Sequence, residues 1–256
     1  MHPYTVESIW RYPVKSMGGE QLGSASVTER GVDGDRVYAL FDRARGKVLS
    51  AKTRPELLLH HAALIDDAPR ITGPDGAVLT RFADGVDLLR LAPDGALMDI
   101  PPDTLGGEMA GVTETGLAGA APSGTFFDYA QIHILSTATL RALKAAYPEG
   151  DFAIDRFRPN LVIDCGDASG FLENDWLDRV LAIGDSLRIR VTIPCPRCVM
   201  PILPRPGLPR DPGIVKTASR ANSHNLGPIG TLPCVGAYAE VLTPGSVRRG
   251  DAVRIE

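Results

Sequence analysis

The chain has 256 residues, is 44% hydrophobic, and carries a formal net charge of −4 with a pI near 5.8. That length buries one large core or two small ones, and the acidic balance excludes the global basic field that would hold nucleic acid or an anionic membrane. No apolar run reaches the roughly 18 residues needed to span a bilayer.

The N-terminus, MHPYTVESIWRYPVKS, lacks the basic-then-apolar layout of an export signal, so a cytoplasmic protein without membrane association is expected. Within it, TVESIWRYPV carries strand-type residues. With 27 glycines and 21 prolines, turns are frequent (RGVDGDR, TGPDGAV, PRPGLPRDPG, TPGSVRRGD) and suit short strands closed into barrels better than long helices. Residues 96–124 are rich in Gly, Ala, Pro and Thr and poor in apolar periodicity, which reads as a connecting loop between an N-terminal domain, 1–95, and a C-terminal one, 125–256. Helices are a minority. The best is STATLRALKAAY, where Ser136 caps, Leu140, Leu143 and Tyr147 keep helical spacing, and Pro148 with Gly150 stops it. A shorter helical turn is expected around Asn174 to Arg179, followed by LRIRVTI, which places Leu187, Ile189, Val191 and Ile193 on one strand face. The fold class read from these elements is mainly β with a few helices.

That last strand leads into PCPRC, with two of the four cysteines (Cys165, Cys195, Cys198, Cys234). A structural zinc site needs a second short-spaced pair, which the chain lacks. A thioredoxin-like centre needs a helix, and Pro194, Pro196 and Pro201 oppose one. Buried packing thiols remain the plain reading of the spacing. Arg197 beside Cys198 favours a thiolate there, since a neighbouring cation stabilises the nucleophilic and metal-binding form.

A second group of residues suits an anion. YPVKS offers the ammonium of Lys15 and the hydroxyl of Ser16, RFRPN offers Arg156, Arg158 and Asn160, and RGVDGDR offers Arg36 on a glycine turn beside Asp33 and Asp35. Guanidinium grips phosphate through paired hydrogen bonds. Each motif alone also reads as solvated surface charge, and RGVDGDR as an ordinary hairpin.

Taken in order, YPVKSMGGE, RGVDGDRVYALFD and LSAKTRPELL resemble the N-terminal β-barrel domain that precedes the molybdenum cofactor sulfurase C-terminal (MOSC) domain. FFDY with ILSTATL, RFRPNLVID, DWLDRVLAIGDSLRIRVTIPCPRC and GAYAEVLTPGSVRRGDAVRI resemble the MOSC domain itself. The resemblance implies a β-barrel MOSC domain plus a smaller N-terminal β-barrel, with a molybdopterin-type molybdenum cofactor between them. It implies Cys198 as the molybdenum ligand, Asp128 of FFDY as a proton-handling group by the metal, and Lys15, Ser16, Arg36, Arg158 and Asn160 as holders of the pterin and its phosphate. The family is also associated in general terms with pyridoxal phosphate binding.

The chemistry implied is two-electron reduction of an N–O bond in a small N-hydroxylated substrate. No cysteine cluster lies beyond Cys234, so electrons are expected from a separate protein of ferredoxin, flavin reductase or cytochrome b5 type. A sulfur-transfer protein carrying a persulfide on Cys198 and a carrier of the molybdenum cofactor are the two other functions the resemblance allows. The chain departs from the family's reductases at Tyr129 and Ala130, where small hydroxyl residues are usual. It departs again after PCPRC, where a proline-rich stretch with Arg205, Arg210, Lys216, Arg220 and His224 is expected to shape the substrate entrance.

Overall fold

The computed structural model describes residues 4–92, 97–98, 125–127 and 129–256. The rest of the 96–124 connection and Asp128 lie outside the described residues. The chain divides into two compact units, each discontinuous: the described residues of Met1–Trp10, Gln21–Asp33 and Gln131–Glu256 form one, and those of Arg11–Glu20 and Gly34–Ala130 the other.

The first unit is built on seven strands: β1 (Tyr4–Arg11), β2 (Ile132–Ser136), β3 (Leu161–Asp164), β4 (Val180–Ile183), β5 (Leu187–Pro196), β6 (Thr231–Thr243) and β7 (Ala252–Ile255). They pair in the order β2-β3-β1-β7-β4-β5-β6, and β6 returns to β2, so the sheet closes into a barrel. All the pairings are antiparallel except β2 with β3. Closure removes the exposed edges that an open sheet must protect. The alternation expected in LRIRVTI is present: Leu187, Ile189 and Val191 are fully buried in the core with Ile132, Ile134, Leu161, Ile163, Leu181, Ala237 and Val253. Ile193 is only half-buried, because the β5–β6 register slips between Val191 and Ile193.

Three helices lie outside the barrel wall: α1 (Thr137–Ala146), α2 (Ile154–Phe157) and α3 (Gly213–Ala221). α1 starts where its sequence predicts, with the Ser136 side chain accepting the Thr139 N–H at 3.0 Å. Leu143 of α1, Phe152, Phe157, and Ile214 and Ala218 of α3 share a second core with Leu135 and Val235. The turn expected near Asn174 is a 3-10 helix, Leu172–Trp176, and it carries Glu173 to the start of α1. The Glu173 carboxyl is 1% exposed and accepts the Ser136 N–H at 2.5 Å and the Thr139 hydroxyl. Burial pushes its pKa above the usual carboxylate range, and the hydrogen bonds from Thr139 and Ser136 pull it back only in part.

The second unit centres on the strand Tyr38–Asp42, flanked by Val86–Leu91 and Lys47–Val48. Both its faces are covered. Tyr38 and Leu40 pack with Val14, Met17, Leu57, Ala62 and Ile71, while Ala39 and Phe41 pack with Val48 and Leu89. A hairpin, His61–Ile65 with Ala68–Thr72, completes it. The mainly β reading of the sequence therefore holds.

Candidate functional site

In the second unit YPVKS, the Gly34–Arg36 end of RGVDGDR and the two phenylalanines of FFDY converge. Residues 12–15 run parallel to 36–38: the Arg36 N–H donates to Tyr12 O at 2.9 Å, Tyr38 N–H to Pro13 O at 3.0 Å, and Lys15 N–H to Tyr38 O at 2.8 Å. Phe126 N–H donates to Arg36 O at 2.7 Å and accepts Lys15 Nζ on its own carbonyl at 3.2 Å. The Arg36 guanidinium lies over the Tyr12 ring, 4.8 Å from its centroid, and over the Phe127 ring at 5.3 Å. Its partner is Asp35, which is 1% exposed and also accepts the Tyr12 N–H at 2.6 Å. The reading of RGVDGDR as a hairpin with solvated charges fails at Asp35, whose carboxylate is instead a buried bracket between two motifs. Ser16 is buried and accepts the Ala51 N–H at 3.0 Å, which joins YPVKS to the SAKTR turn.

In the first unit, RFRPN and PCPRC meet through Arg197. Its guanidinium is buried, donating to Cys195 Sγ at 2.9 Å and to Phe157 O at 2.9 Å, and it covers the Phe157 ring at 5.7 Å. Burial works against the Arg197 charge, but Cys195, Tyr238 and Cys198 around it outweigh that penalty and hold its pKa above the ordinary guanidinium value. Arg197 and Cys198 interact electrostatically, as their adjacency in the sequence suggests, and Arg197 also binds a second thiol. The hydrogen bond goes to Cys195, which is fully buried, while Cys198 is exposed with a free thiol. Arg197 Nε is buried with no hydrogen-bond partner among the described residues.

The other two cysteines are packing thiols. Burial, followed by charge on Cys195, pushes the Cys234 pKa up to about 12, and burial with Glu173 and Asp164 nearby does the same to Cys165.

Arg158 is buried at the left-handed C-cap of α2, with φ 55°. Asn160, 1% exposed, accepts the His133 N–H at 3.1 Å and donates to Trp10 O at 3.4 Å, so its amide joins β2 to β1. Among the described residues, six non-glycine residues have positive φ, and three of them are the sequence-selected Ser16 (67°), Arg36 (52°) and Arg158 (55°). Such backbone is uncommon for these residue types and concentrates at functional sites.

Two arginines of the expected entrance and anion motifs are structural. Arg156 is fully buried and donates to Asp151 O at 2.8 Å, Pro201 O at 2.9 Å and Pro209 O at 2.9 Å. Arg205, also buried, donates to Asp155 O and, at 2.7 Å, to Met200 O. His224 is tied to Asn222 Oδ1 at 2.8 Å. Nothing in the sequence distinguished Arg156 from Arg158; only the helical turn, which aims one inward and puts the other at the cap, separates them.

Among the described residues, no three His, Cys, Asp or Glu side chains converge as a bare metal site, and no helix is long and apolar enough to cross a membrane.

The MOSC domain model matches residues 121–254, and the MOSC N-terminal beta barrel domain model matches 4–89. Mitochondrial amidoxime reducing component 2 of Bos taurus is 26% identical over 284 aligned positions, covering 97% of this chain and 82% of that protein. Among solved structures, the YuaD protein of Bacillus subtilis shares the fold with a TM-score of 0.51 at 12% identity, over 98% of this chain and 94% of that one. YiiM from Escherichia coli has a TM-score of 0.41 at 12% identity, covering 99% of this chain and 68% of that one. The chain, with a closed barrel whose strand β5 leads into PCPRC and a second β unit that holds YPVKS, belongs to the MOSC domain family, in the form that carries the N-terminal MOSC barrel domain.

Proposed function

We propose that this protein is a molybdenum-cofactor-dependent oxidoreductase that reduces N-hydroxylated compounds with electrons from a separate protein. The observation that carries the reading is the exposed, unbridged Cys198 thiol at the end of a barrel strand, beside a buried Arg197 Nε–H that has no hydrogen-bond partner among the described residues. The similarity to a protein named as an amidoxime reducing component supports the reaction class.

The donor set fits a metal that arrives already chelated. One polarizable protein thiolate completes the coordination of such a metal, whereas a bare ion needs several side chains. Cys198 is the metal ligand in this reading, and Lys15, Ser16, Arg36, Arg158 and Asn160 hold the pterin and its phosphate. The ammonium and guanidinium groups answer the concentrated negative charge of a phosphate. Strained backbone at Ser16, Arg36 and Arg158 presents those groups at fixed angles. Asp128, next in sequence to Phe127, handles protons in this reading.

When bound, the cofactor would supply two-electron exchange for cleavage of the N–O bond. For an amidoxime the balance is R–C(NH2)=N–OH + 2e− + 2H+ → R–C(NH2)=NH + H2O. The N–O bond breaks, the carrier protein is oxidised, and the two protons pass through groups such as Asp128.

The test is molybdenum and pterin content of protein expressed with molybdate, followed by benzamidoxime reduction with reduced methyl viologen. Stoichiometric molybdenum that disappears in Cys198→Ser, with amidine formed by the wild type, is the expected result. Cofactor-free protein with a cyanide-labile sulfur on Cys198 makes it a sulfur-transfer protein, and bound molybdenum without reduction makes it a cofactor carrier.

A further inference from the structure

A second feature adjoins Cys198, and its charge is opposite to that of the whole chain. From Val199 to Ala221 the backbone forms a 3-10 turn, Met200–Ile202, a loop carrying Pro204, Pro206, Pro209 and Pro212, and then α3. Loops this exposed are ordinarily mobile. This one is pinned from beneath: the buried Arg156 and Arg205 together donate to Met200, Pro201 and Pro209 carbonyls, Asp211 N–H donates to Ile202 O at 2.9 Å, and Arg205 and Leu208 exchange both backbone hydrogen bonds. Two fully buried cations are a large investment to hold an exposed proline loop still.

The outer surface of this segment is basic. Lys216 and Arg220 stand four residues apart on the exposed side of α3, whose Ile214 and Ala218 face inward, and Arg210 is exposed at the end of the loop. None of the three is in an ion pair among the described residues. The neighbouring carboxylate, Asp211, is occupied by the Gly213 N–H at 2.8 Å and by the Tyr147 hydroxyl. α3 packs on the 200–202 turn, which begins two residues from Cys198, and Val199 between them is exposed at 41%.

We infer that the 199–220 surface is the docking site for the electron donor, and that the donor is an acidic carrier protein. The inference rests on the proposed reductase function. A rigid platform lowers the ordering cost of association, and a local positive patch on a chain of net charge −4 steers and orients an acidic partner where the overall field would repel it. Docking there brings the partner's redox group towards Cys198, which shortens the path to the metal.

The test uses the full chain, molybdenum-loaded, and an acidic [2Fe–2S] ferredoxin as probe. Ferredoxin affinity is measured directly at low and high salt for the wild type, for the double variant Lys216→Gln/Arg220→Gln, and for Arg249→Gln as a control charge elsewhere. The expected result is about five- to tenfold weaker binding in the double variant at low ionic strength, a difference that closes as salt screens it. Arg249→Gln is expected to bind as the wild type does and to leave viologen-driven benzamidoxime reduction unchanged. No salt-dependent binding by the wild type, or equal affinity of wild type and double variant, overturns the assignment. So does a parallel fall in the viologen-driven rate, which gives the patch to the substrate. If the wild type reduces no benzamidoxime with viologen, the reductase reading fails, and the ferredoxin affinities still decide the surface.

Discussion

Arg156→Ala should be among the most damaging single changes in the barrel unit. The wild-type guanidinium is fully buried and spends all three nitrogens on carbonyls of Asp151, Pro201 and Pro209, from two chain segments some fifty residues apart in sequence. Hydrogen bonds from a charged donor are worth about 1.5–3 kcal/mol each, and the Pro201 carbonyl would be left buried without its donor. The three contributions share one side chain and do not add fully, so the expected loss is about 4 kcal/mol, close to that for breaking a buried charged contact. In a domain of this size that lowers the midpoint of thermal unfolding by roughly 10 °C. Arg156→Lys should recover only part of it, because one ammonium cannot span the fork of acceptors. Urea unfolding supplies the global number, and trypsin cleavage after Arg210 at native temperature supplies the local one. A loss below about 1 kcal/mol with Arg210 still protected would refute the view that Arg156 clamps the proline loop.

The remaining expectations are briefer. Glu173 has a folded pKa raised above its unfolded value, so its contribution to stability is full below about pH 4.3 and is lost as pH rises through the folded pKa. Urea unfolding of wild type and Glu173→Gln from pH 4.5 to 8 should therefore diverge, at about 1.4 kcal/mol per pH unit until the folded pKa is passed, and parallel curves would contradict the burial account. Asp35→Asn should cost roughly 3 kcal/mol, because an amide cannot serve both the Tyr12 N–H and the Arg36 guanidinium, and it should lower molybdenum content more than it lowers fluorescence-detected folding of the barrel unit. Gly236→Ala should destabilise by about 2 kcal/mol or more: φ is 76°, and a Cβ there would come within 2.3 Å of Ile134 O and 2.5 Å of His133 Nε2. Unfolding within about 0.5 kcal/mol of the wild type would remove that strain argument.

Local structure was the most legible part of the sequence. The α1 cap at Ser136 and the inward face of LRIRVTI follow from residue types within one turn or one strand, and the structure has both. Missing from that reading was α3, whose nine residues offer only Ile214 and Ala218 as an apolar face and sit behind four loop prolines. Barrel closure was equally hidden, since nothing in YTVESIWR names its partners LVID and AVRI. At the candidate site, residue type and the family resemblance nominated Cys198, Lys15, Arg36 and Arg158, but orientation was out of reach. Adjacency paired Arg197 with Cys198, and only the structure adds that its hydrogen bond reaches back to Cys195 along the strand it leaves. Asp35 looked like one more turn carboxylate and is a buried bracket, a distinction set by packing that a single sequence does not record.

The pairing of β1 with both β3 and β7 has a practical consequence. A fragment cut at the apparent domain boundary, residues 125–256, would lack β1 and leave LVID and AVRI as two bare, apolar strand edges. It would be a template for aggregation and no isolated barrel. During synthesis the same geometry means that the first strand waits for more than 150 residues to emerge before its neighbours exist, with the whole second unit made in the interval. Any attempt to separate the metal-ligand half from the rest must graft residues 4–10 and 21–33 onto it by a new connection. Because Tyr4 and Val253 already sit side by side, a circular permutant is the natural way to do so.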